Sequence, residues 1–466
     1  MGLSRRSFLA GTLSLGLTPT GPAAHAQSAR TTLRMQTRHI EVAGKAATRY
    51  GVAQASGAFG LTLSEGDEFN VRLENGLPVP AGLHWHGLTE PWRQDGVPYL
   101  SGPPIAPGTA RDFRFPATPP GTRWMHSHFG LQEQDLLAAP LIIREASAIR
   151  DDAQEVVLFL EDFSWTSPEE IFAGLRRRQV EMRPMAAGSM TGGMASADLN
   201  DVEYDAYLAN DRTLDDPEVI RVERGGRVRL RIINAGASTN FTIDLGNLEG
   251  MLLAVDGNPI VPVAGKRFPV AISQRADVVL RMPPDGTAVS ILALGEGRRL
   301  RAGVILQPPG AAVAKIAANV GEIGPQVGLE QELGLKALAS LNARSVDRSI
   351  PVDLTGSMMG YNWGMVINGM AGLPATAERG ERVEIAFRNT TMMSHPMHLH
   401  GHVFQVVEIN GKPIQGAIRD TVLVPPRAAV KVALEADNPG LWGFHCHNLY
   451  HMAVGMFATL VYRGFT

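Results

Sequence analysis

The 466-residue chain has one cysteine, Cys446, so a disulfide framework within it is impossible. It has no basic excess. Lys and Arg number 43 against 46 Asp and Glu, a formal charge of −3, which argues against a nucleic-acid binder. No apolar run is long enough for a membrane-spanning helix. Gly (50) and Pro (31) are plentiful but follow no Gly-X-Y period, which excludes a collagen-like rod. With 44% apolar residues the chain can bury cores, so wholesale disorder is excluded too. The length exceeds one compact core and predicts two to four domains.

The first residues read as an address. Ser4-Arg5-Arg6-Ser7-Phe8-Leu9 leads into a short apolar run from Leu9 to Leu17. Ala24-His25-Ala26 then supplies a small-x-small cleavage pattern. The paired arginines make residues 1–26 a twin-arginine export signal. The expectation is a soluble periplasmic protein, exported already folded by the twin-arginine machinery.

The remainder is strand-like. Short β-rich runs such as Phe69-Asn70-Val71-Arg72-Leu73 and Val383-Glu384-Ile385-Ala386-Phe387 alternate with Gly, Pro, Asn and Asp, the pattern of sandwiches and barrels. One pattern appears three times: a Gly turn, a strand, then Asn. The copies run from Glu65 to Asn75, Glu223 to Asn234 and Glu378 to Asn389. Their spacing is that of one domain each. The expected layout is domains at 28–147, 148–310 and 346–466. The linker 311–345 lacks strand character, and Gly328 to Asn342 reads as a short helix in it.

Nine histidines fall in four clusters: His84-Trp85-His86, His126-Ser127-His128, His395-Pro396-Met397-His398-Leu399-His400 and His445-Cys446-His447. On a strand, residues i and i+2 share a face. Four His-x-His pairs therefore present eight imidazoles, ligands suited to copper, zinc, iron or nickel. Burying eight rings without an ion to satisfy them is costly. The same parity turns Cys446 away from His445 and His447. His395, three residues before His398, falls on that other face, with Pro396 expected to turn the chain. A thiolate with His395, His451 and Met456 in reach is the ligand set of a blue-copper electron-transfer centre.

These four clusters, in this order, resemble the four copper signatures of the multicopper oxidase family. The stretch His445-Cys446-His447-Asn448-Leu449-Tyr450-His451-Met452-Ala453-Val454-Gly455-Met456 is similar to bacterial copper-resistance and laccase-like members. The resemblance implies an all-β fold of three cupredoxin-like Greek-key domains and four copper ions. It implies that His395, Cys446, His451 and Met456 hold a type 1 copper. It places His84 and His398 on a type 2 copper. It places His86, His126, His128, His400, His445 and His447 on a type 3 pair, so that a trinuclear cluster lies between the first and third domains. One-electron oxidation of Cu(I) or a phenolic donor would be coupled, through Cys446 and its neighbours, to four-electron reduction of dioxygen to water. That reduction consumes protons, and Asp95, eleven residues after His84, stands where the family often places an acid. A solvated loop Asp before Gly96 is the alternative.

One departure stands out. Many members carry a carboxylate just after the last type 1 histidine, where this chain has Met452 and Ala453. Methionines are grouped as well. Met182, Met185, Met190 and Met194 lie in a Gly/Ala/Ser-rich stretch, Met358, Met359, Met365 and Met370 in another, and Met392, Met393 and Met397 flank the third His cluster. Thioether sulfur suits Cu(I), so the 182–194 group is a candidate cuprous-ion site for copper tolerance. Gap-filling is the other role of such residues. Met35, Met125, Met251 and Met282 read as core. His402 reads as a hydrogen-bonding residue and His39 as structural. Copper nitrite reductase shares the fold but needs fewer histidine pairs. A copper-storage protein, or a non-catalytic export protein of this fold, remains the different-class alternative. A monomer is expected.

Overall fold

The computed structural model describes residues 30–181 and 199–465. The leader expected at 1–26 and the group Met182, Met185, Met190 and Met194 lie outside the described residues. The rest folds into three consecutive two-sheet β units. The first pairs a four-stranded sheet (Lys45–Gln54, Thr31–Val42, Glu68–Asn75, Ala110–Pro116) with another (Leu61–Ser64, Ala138–Arg144, Gly121–Ser127, Leu83–His86). The middle unit pairs six strands with five, and the last pairs eight with five.

Each unit is mixed in the same place. The strand ending on the repeated Asn runs parallel to the one that opens the unit: Glu68–Asn75 beside Thr31–Val42, Arg227–Asn234 beside Gln154–Phe163, Arg382–Asn389 beside Arg348–Ser357. The Asn itself explains the repeat. The Asn75 amide donates to Val79 O (2.9 Å) and Ile105 O (2.7 Å). Asn234 donates to Thr239 O (2.9 Å) and Val270 O (3.0 Å), and Asn389 to Met393 O (2.7 Å) and Val424 O (2.9 Å). Each Oδ1 accepts from the backbone N–H two residues on. A side-chain amide that satisfies three backbone groups fixes a turn that would otherwise bury unpaired polar atoms. In the first and third units that turn leads directly to a histidine strand, Leu83–His86 or His395–Leu399.

The units pack as one body. Buried apolar residues of the middle and last units form one continuous cluster, while the first unit has its own. Strand Gly121–Ser127 of the first unit meets the middle one through Thr122 Oγ1, which donates to Asp277 (2.5 Å) and accepts from Arg231 (3.0 Å).

Two elements differ from expectation. The linker helix is only Glu330–Gly334. Beyond it the chain extends and bonds to sheet edges: Val261 N–H to Lys336 O (2.8 Å), Leu338 N–H to Pro259 O (3.0 Å) and Ala337 N–H to Gly416 O (3.2 Å). Edge pairing satisfies backbone groups that a longer helix would have taken for itself. The helix Pro168–Glu181 was not anticipated. Its signal is a capping box, with Ser167 Oγ accepting from Glu170 N (3.3 Å) and donating to its carboxylate (2.9 Å). Among the described residues no helix is long and apolar enough to cross a membrane.

Candidate metal centres

Cys446 ends the strand Leu441–Cys446, paired with His395–Leu399 in the same sheet. Its Sγ lies 3.7 Å from Nδ1 of His395 and 3.7 Å from Nδ1 of His451, and those two nitrogens are 3.1 Å apart. All three residues are buried. His451 sits in the short helix Leu449–Ala453, whose cap Asn448 accepts from the N–H groups of Tyr450 and His451. The far nitrogens are engaged: His395 Nε2 meets Thr391 Oγ1 at 2.8 Å, and His451 Nε2 meets Asp201 Oδ2 at 2.8 Å. Met456 is buried, and its carbonyl accepts from Cys446 N–H at 3.0 Å. Pro396 lies inside the strand His395–Leu399 rather than at a turn. Strand parity alone separates His395 from His398.

The other faces converge between the first and third units. His84 Nε2 and His398 Nε2 are 3.4 Å apart. His126 Nε2 and His447 Nε2 are 3.3 Å apart, with His86 completing a buried triad. His445 Nε2 lies 3.2 Å from His128 Nε2 and 3.0 Å from His400 Nε2. Of the eight rings only His128 is partly exposed. The eight imidazoles converge in three groups, His84, His86 and His398, then His86, His126 and His447, then His128, His400 and His445, the first two sharing His86.

Carboxylates hold the outer nitrogens. Asp95, fully buried rather than solvated, takes His84 Nδ1 at 2.6 Å and His400 Nδ1 at 3.1 Å. Asp420 takes His86 Nε2 at 3.0 Å and is gripped by Arg275 of the middle unit, with Arg123 beside it. Glu133 lies 2.7 Å from His126 Nδ1 and 3.8 Å from His447 Nδ1. Asp201, Glu133 and Asp420 were not singled out in the sequence. No short motif marks them: Asp201 and Asp420 meet His451 and His86 far away along the chain, and Glu133 lies in the loop that follows the His126 strand. Gly87, with φ +89°, is required by this packing: a Cβ there would lie 2.7 Å from Arg275 and 2.8 Å from Asp420.

Burial lowers the proton affinity of His86, His126, His128, His395, His398, His400, His445 and His447, and neighbouring rings lower it further. His400 falls to about 4 and His447 to about 3, so each offers a lone pair at neutral pH. Burial pushes the Cys446 thiol up, so its thiolate needs a cation beside it.

The donor set fits bound metal. Ligand nitrogens about 2 Å from one ion stand roughly 3.3 Å apart in tetrahedral geometry, close to the 3.0–3.4 Å of His84–His398, His126–His447, His128–His445 and His400–His445. His86 Nδ1 is buried without a hydrogen-bond partner while Nε2 meets Asp420, so Nδ1 is the nitrogen free to take an ion. Imidazoles with one thiolate select copper over hard cations.

Other residues fall as follows. His402 bonds Tyr462 OH (2.6 Å) and His400 O (2.9 Å), a supporting role. His39 is exposed and meets Thr48 Oγ1 across two strands at 3.1 Å. Met35, Met125 and Met282 are core, but Met251 faces outward because it occupies an exposed position of an alternating strand. Met359, Met370 and Met392 are exposed, while Met365, Met393 and Met397 are buried.

Three two-sheet units carrying a His₂Cys group next to an eight-imidazole cluster define a copper-dependent oxidoreductase of cupredoxin-like architecture. Three stretches, 34–148, 157–296 and 344–464, match the multicopper oxidase domain models, and the chain belongs to the multicopper oxidase family. It is 32% identical over 410 residues to multicopper oxidase MmcO of Mycobacterium tuberculosis, covering 85% of this chain and 80% of that one. It is 26% identical over 531 residues to copper resistance protein A of Escherichia coli, covering 85% and 86%. Among solved structures, Fet3p, a multicopper oxidase that functions in iron import, superposes with a TM-score of 0.77 at 21% identity, covering 93% of this chain and 90% of that one. The protein is accordingly an oxidoreductase that takes electrons from a reducing substrate and delivers them to dioxygen.

Proposed function

We propose that the enzyme holds four copper ions, one type 1, one type 2 and a type 3 pair, and oxidises Cu(I) or a phenolic donor in copper tolerance. His395, Cys446, His451 and Met456 would hold the first, His84 and His398 the second, and His86, His126, His128, His400, His445 and His447 the pair. Copper so bound supplies one-electron oxidation at the thiolate site and four-electron reduction of dioxygen to water at the cluster.

The observation that carries this reading is the continuity at Cys446. Its sulfur lies beside His395 and His451, while the residues on either side, His445 and His447, reach into the eight-ring cluster. One covalent path therefore joins the two centres. Asp95 fixes the outer nitrogens of two rings and stands as the proton donor near the cluster. Glu133, facing both His126 and His447, takes a carboxylate position that Met452 and Ala453 do not provide. Partly exposed His128 marks the side from which dioxygen arrives. Exposed Met359, Met370 and Met392 in the third unit favour a soft donor such as Cu(I). The domains are 28–147, 148–310 and 346–466 joined by 311–345. The enzyme works as a periplasmic monomer delivered by the twin-arginine route.

Metal analysis, a visible spectrum and oxygen uptake test this together. About four coppers per chain, an intense thiolate-to-copper band and oxygen consumption with Cu(I) or a phenol are expected. Copper binding without oxygen consumption would leave a storage protein instead.

A further inference from the structure

The linker turns one acid inward. In the helix Glu330–Gly334 only Glu332 is buried, at 6% exposure. The chain on either side is pinned to two units. Gln331 Nε2 donates to Pro269 O of the middle unit (3.0 Å), and Ala337 N–H to Gly416 O of the last (3.2 Å). Between these points Glu332 meets Arg419, whose Nε donates to its Oε2 at 2.8 Å.

Arg419 starts a ladder of alternating charge that ends at a candidate copper ligand. Its Nη1 lies 3.2 Å from Asp256 Oδ1. Asp256 Oδ1 also accepts from Arg275 N–H (2.9 Å), and Oδ2 from Thr421 N–H (3.4 Å). Arg275 Nη1 donates to Asp420 Oδ1 at 2.8 Å, and its Nη2 to Asp420 Oδ2. Asp420 Oδ1 meets His86 Nε2 at 3.0 Å. Arg123 stands 3.7 Å from Asp420 and donates to Asp256 O. Three guanidiniums therefore face three carboxylates, those of Asp256, Asp420 and Glu332. All six residues are buried. Among the described residues none of them pairs with any other Lys, Arg, Asp or Glu. Each unit contributes, and the linker contributes Glu332 alone.

A surplus charge in such a dry set is costly, because water is not there to screen it. Without Glu332 the surplus would be positive. Arg419 would draw Asp256 away from the Arg275 N–H, loosening the residue that grips Asp420. The added positive charge would also oppose cations at the neighbouring histidines.

We propose that Glu332 is a positioning residue for the copper cluster. Its carboxylate balances Arg419, so that Asp256 stays on Arg275 and Asp420 stays on His86 Nε2, with His86 Nδ1 turned to the ion. This rests on the reading of His86 as a copper ligand. The linker is then part of the metal centre as well as a connection between units.

The test compares copper-loaded wild-type enzyme with Glu332→Gln, which keeps the acceptor and removes the charge. The double variant Glu332→Gln/Arg419→Gln removes both charges. Glu296→Ala is the control, since it frees the same linker at Val327 N–H without touching the ladder. Copper remaining after chelator treatment is read beside the blue band and the unfolding midpoint. Glu332→Gln should lose cluster copper about tenfold more readily with the blue band intact. The double variant should recover most of that retention. Glu296→Ala should lower the midpoint without selective loss of copper. Wild-type retention in Glu332→Gln, no recovery in the double variant, or the same selective loss in Glu296→Ala overturns the proposal. If Glu332→Gln does not accumulate, the double variant decides: retention like wild type supports the balance of charge, and selective loss refutes it. A wild-type enzyme that takes up no cluster copper would refute the four-copper reading instead, so the two failures are distinguishable.

Discussion

Asp201 Oδ2 sits 2.8 Å from Nε2 of His451, a contact between the middle and last units. The same oxygen accepts from Tyr361 OH (2.8 Å) and Asn448 Nδ2 (3.1 Å). It orients the imidazole so that Nδ1 faces Cys446, and it places a negative charge next to the proposed type 1 copper. Such a charge stabilises the oxidised ion. Asp201→Asn should raise the reduction potential of the blue site, by roughly 100 mV or less for one charge at this separation. A redox titration of the blue band measures it, and a lowered potential would contradict the assignment.

Cys446→Ser should abolish the intense visible band and remove one copper per chain, because a hydroxyl does not replace a thiolate for this ion. Oxidation of the donor should fall to background while the cluster keeps its copper. Retained blue colour would rule Cys446 out as the ligand.

Glu133 lies against His126 Nδ1 and within 3.8 Å of His447 Nδ1. A carboxylate there favours the tautomer that leaves Nε2 free for metal. Glu133→Ala should weaken copper binding at the cluster about 10–100-fold, while Glu133→Gln should lose much less. Competition with a copper chelator reads the difference, and equal retention in both variants and wild type would remove Glu133 from the site.

Gly87→Ala should destabilise the protein by roughly 3 kcal/mol, from a side chain forced into a left-handed backbone and pressed on a packed ion pair. The added methyl would meet Arg275 and Asp420. Denaturant midpoints check this, and a shift below about 0.5 kcal/mol would mean that the clamp relaxes freely.

Glu296 predicts a pH dependence away from the metals. It accepts from Asn240 Nδ2 (2.7 Å) and Val327 N–H (2.7 Å). Burial raises its carboxyl to about 7, against those two bonds, from an ordinary value of 4.5. Between these values the folded chain binds the extra proton, so stability falls as pH rises through that window. The full contribution is present below the unfolded value. Roughly 3 kcal/mol is lost by the time pH exceeds the folded value. Glu296→Gln should flatten this slope when unfolding midpoints are compared from about pH 5 to pH 8. Parallel profiles would refute it.

The period-two spacing of the histidines carried most of the site, because strand parity is a local rule and needs no knowledge of the fold. It separated Cys446 from its neighbours and His395 from His398. The triple Asn was legible as a repeat but not as a clamp, since its acceptors lie up to 36 residues away. Asp95 could be named through the family resemblance, by its place after His84, yet not its burial. Asp420 could not be found, because His86 lies 334 residues and Arg275 145 residues from it in sequence. Tertiary partners of that kind leave no trace in local patterning. The helix at Pro168 did leave one, the Ser167 capping box, outweighed by the strand-like surroundings.

The alternation at His445-Cys446-His447 also makes the enzyme's wiring sensitive to chain registration. Inserting or deleting a single residue ahead of Cys446 would turn the sulfur inward and swing both rings outward, exchanging the electron's entry port for its destination. Surface loops elsewhere tolerate length changes far better, but that strand tolerates no change by an odd number of residues. An engineered longer variant would have to add residues in pairs to keep the circuit connected.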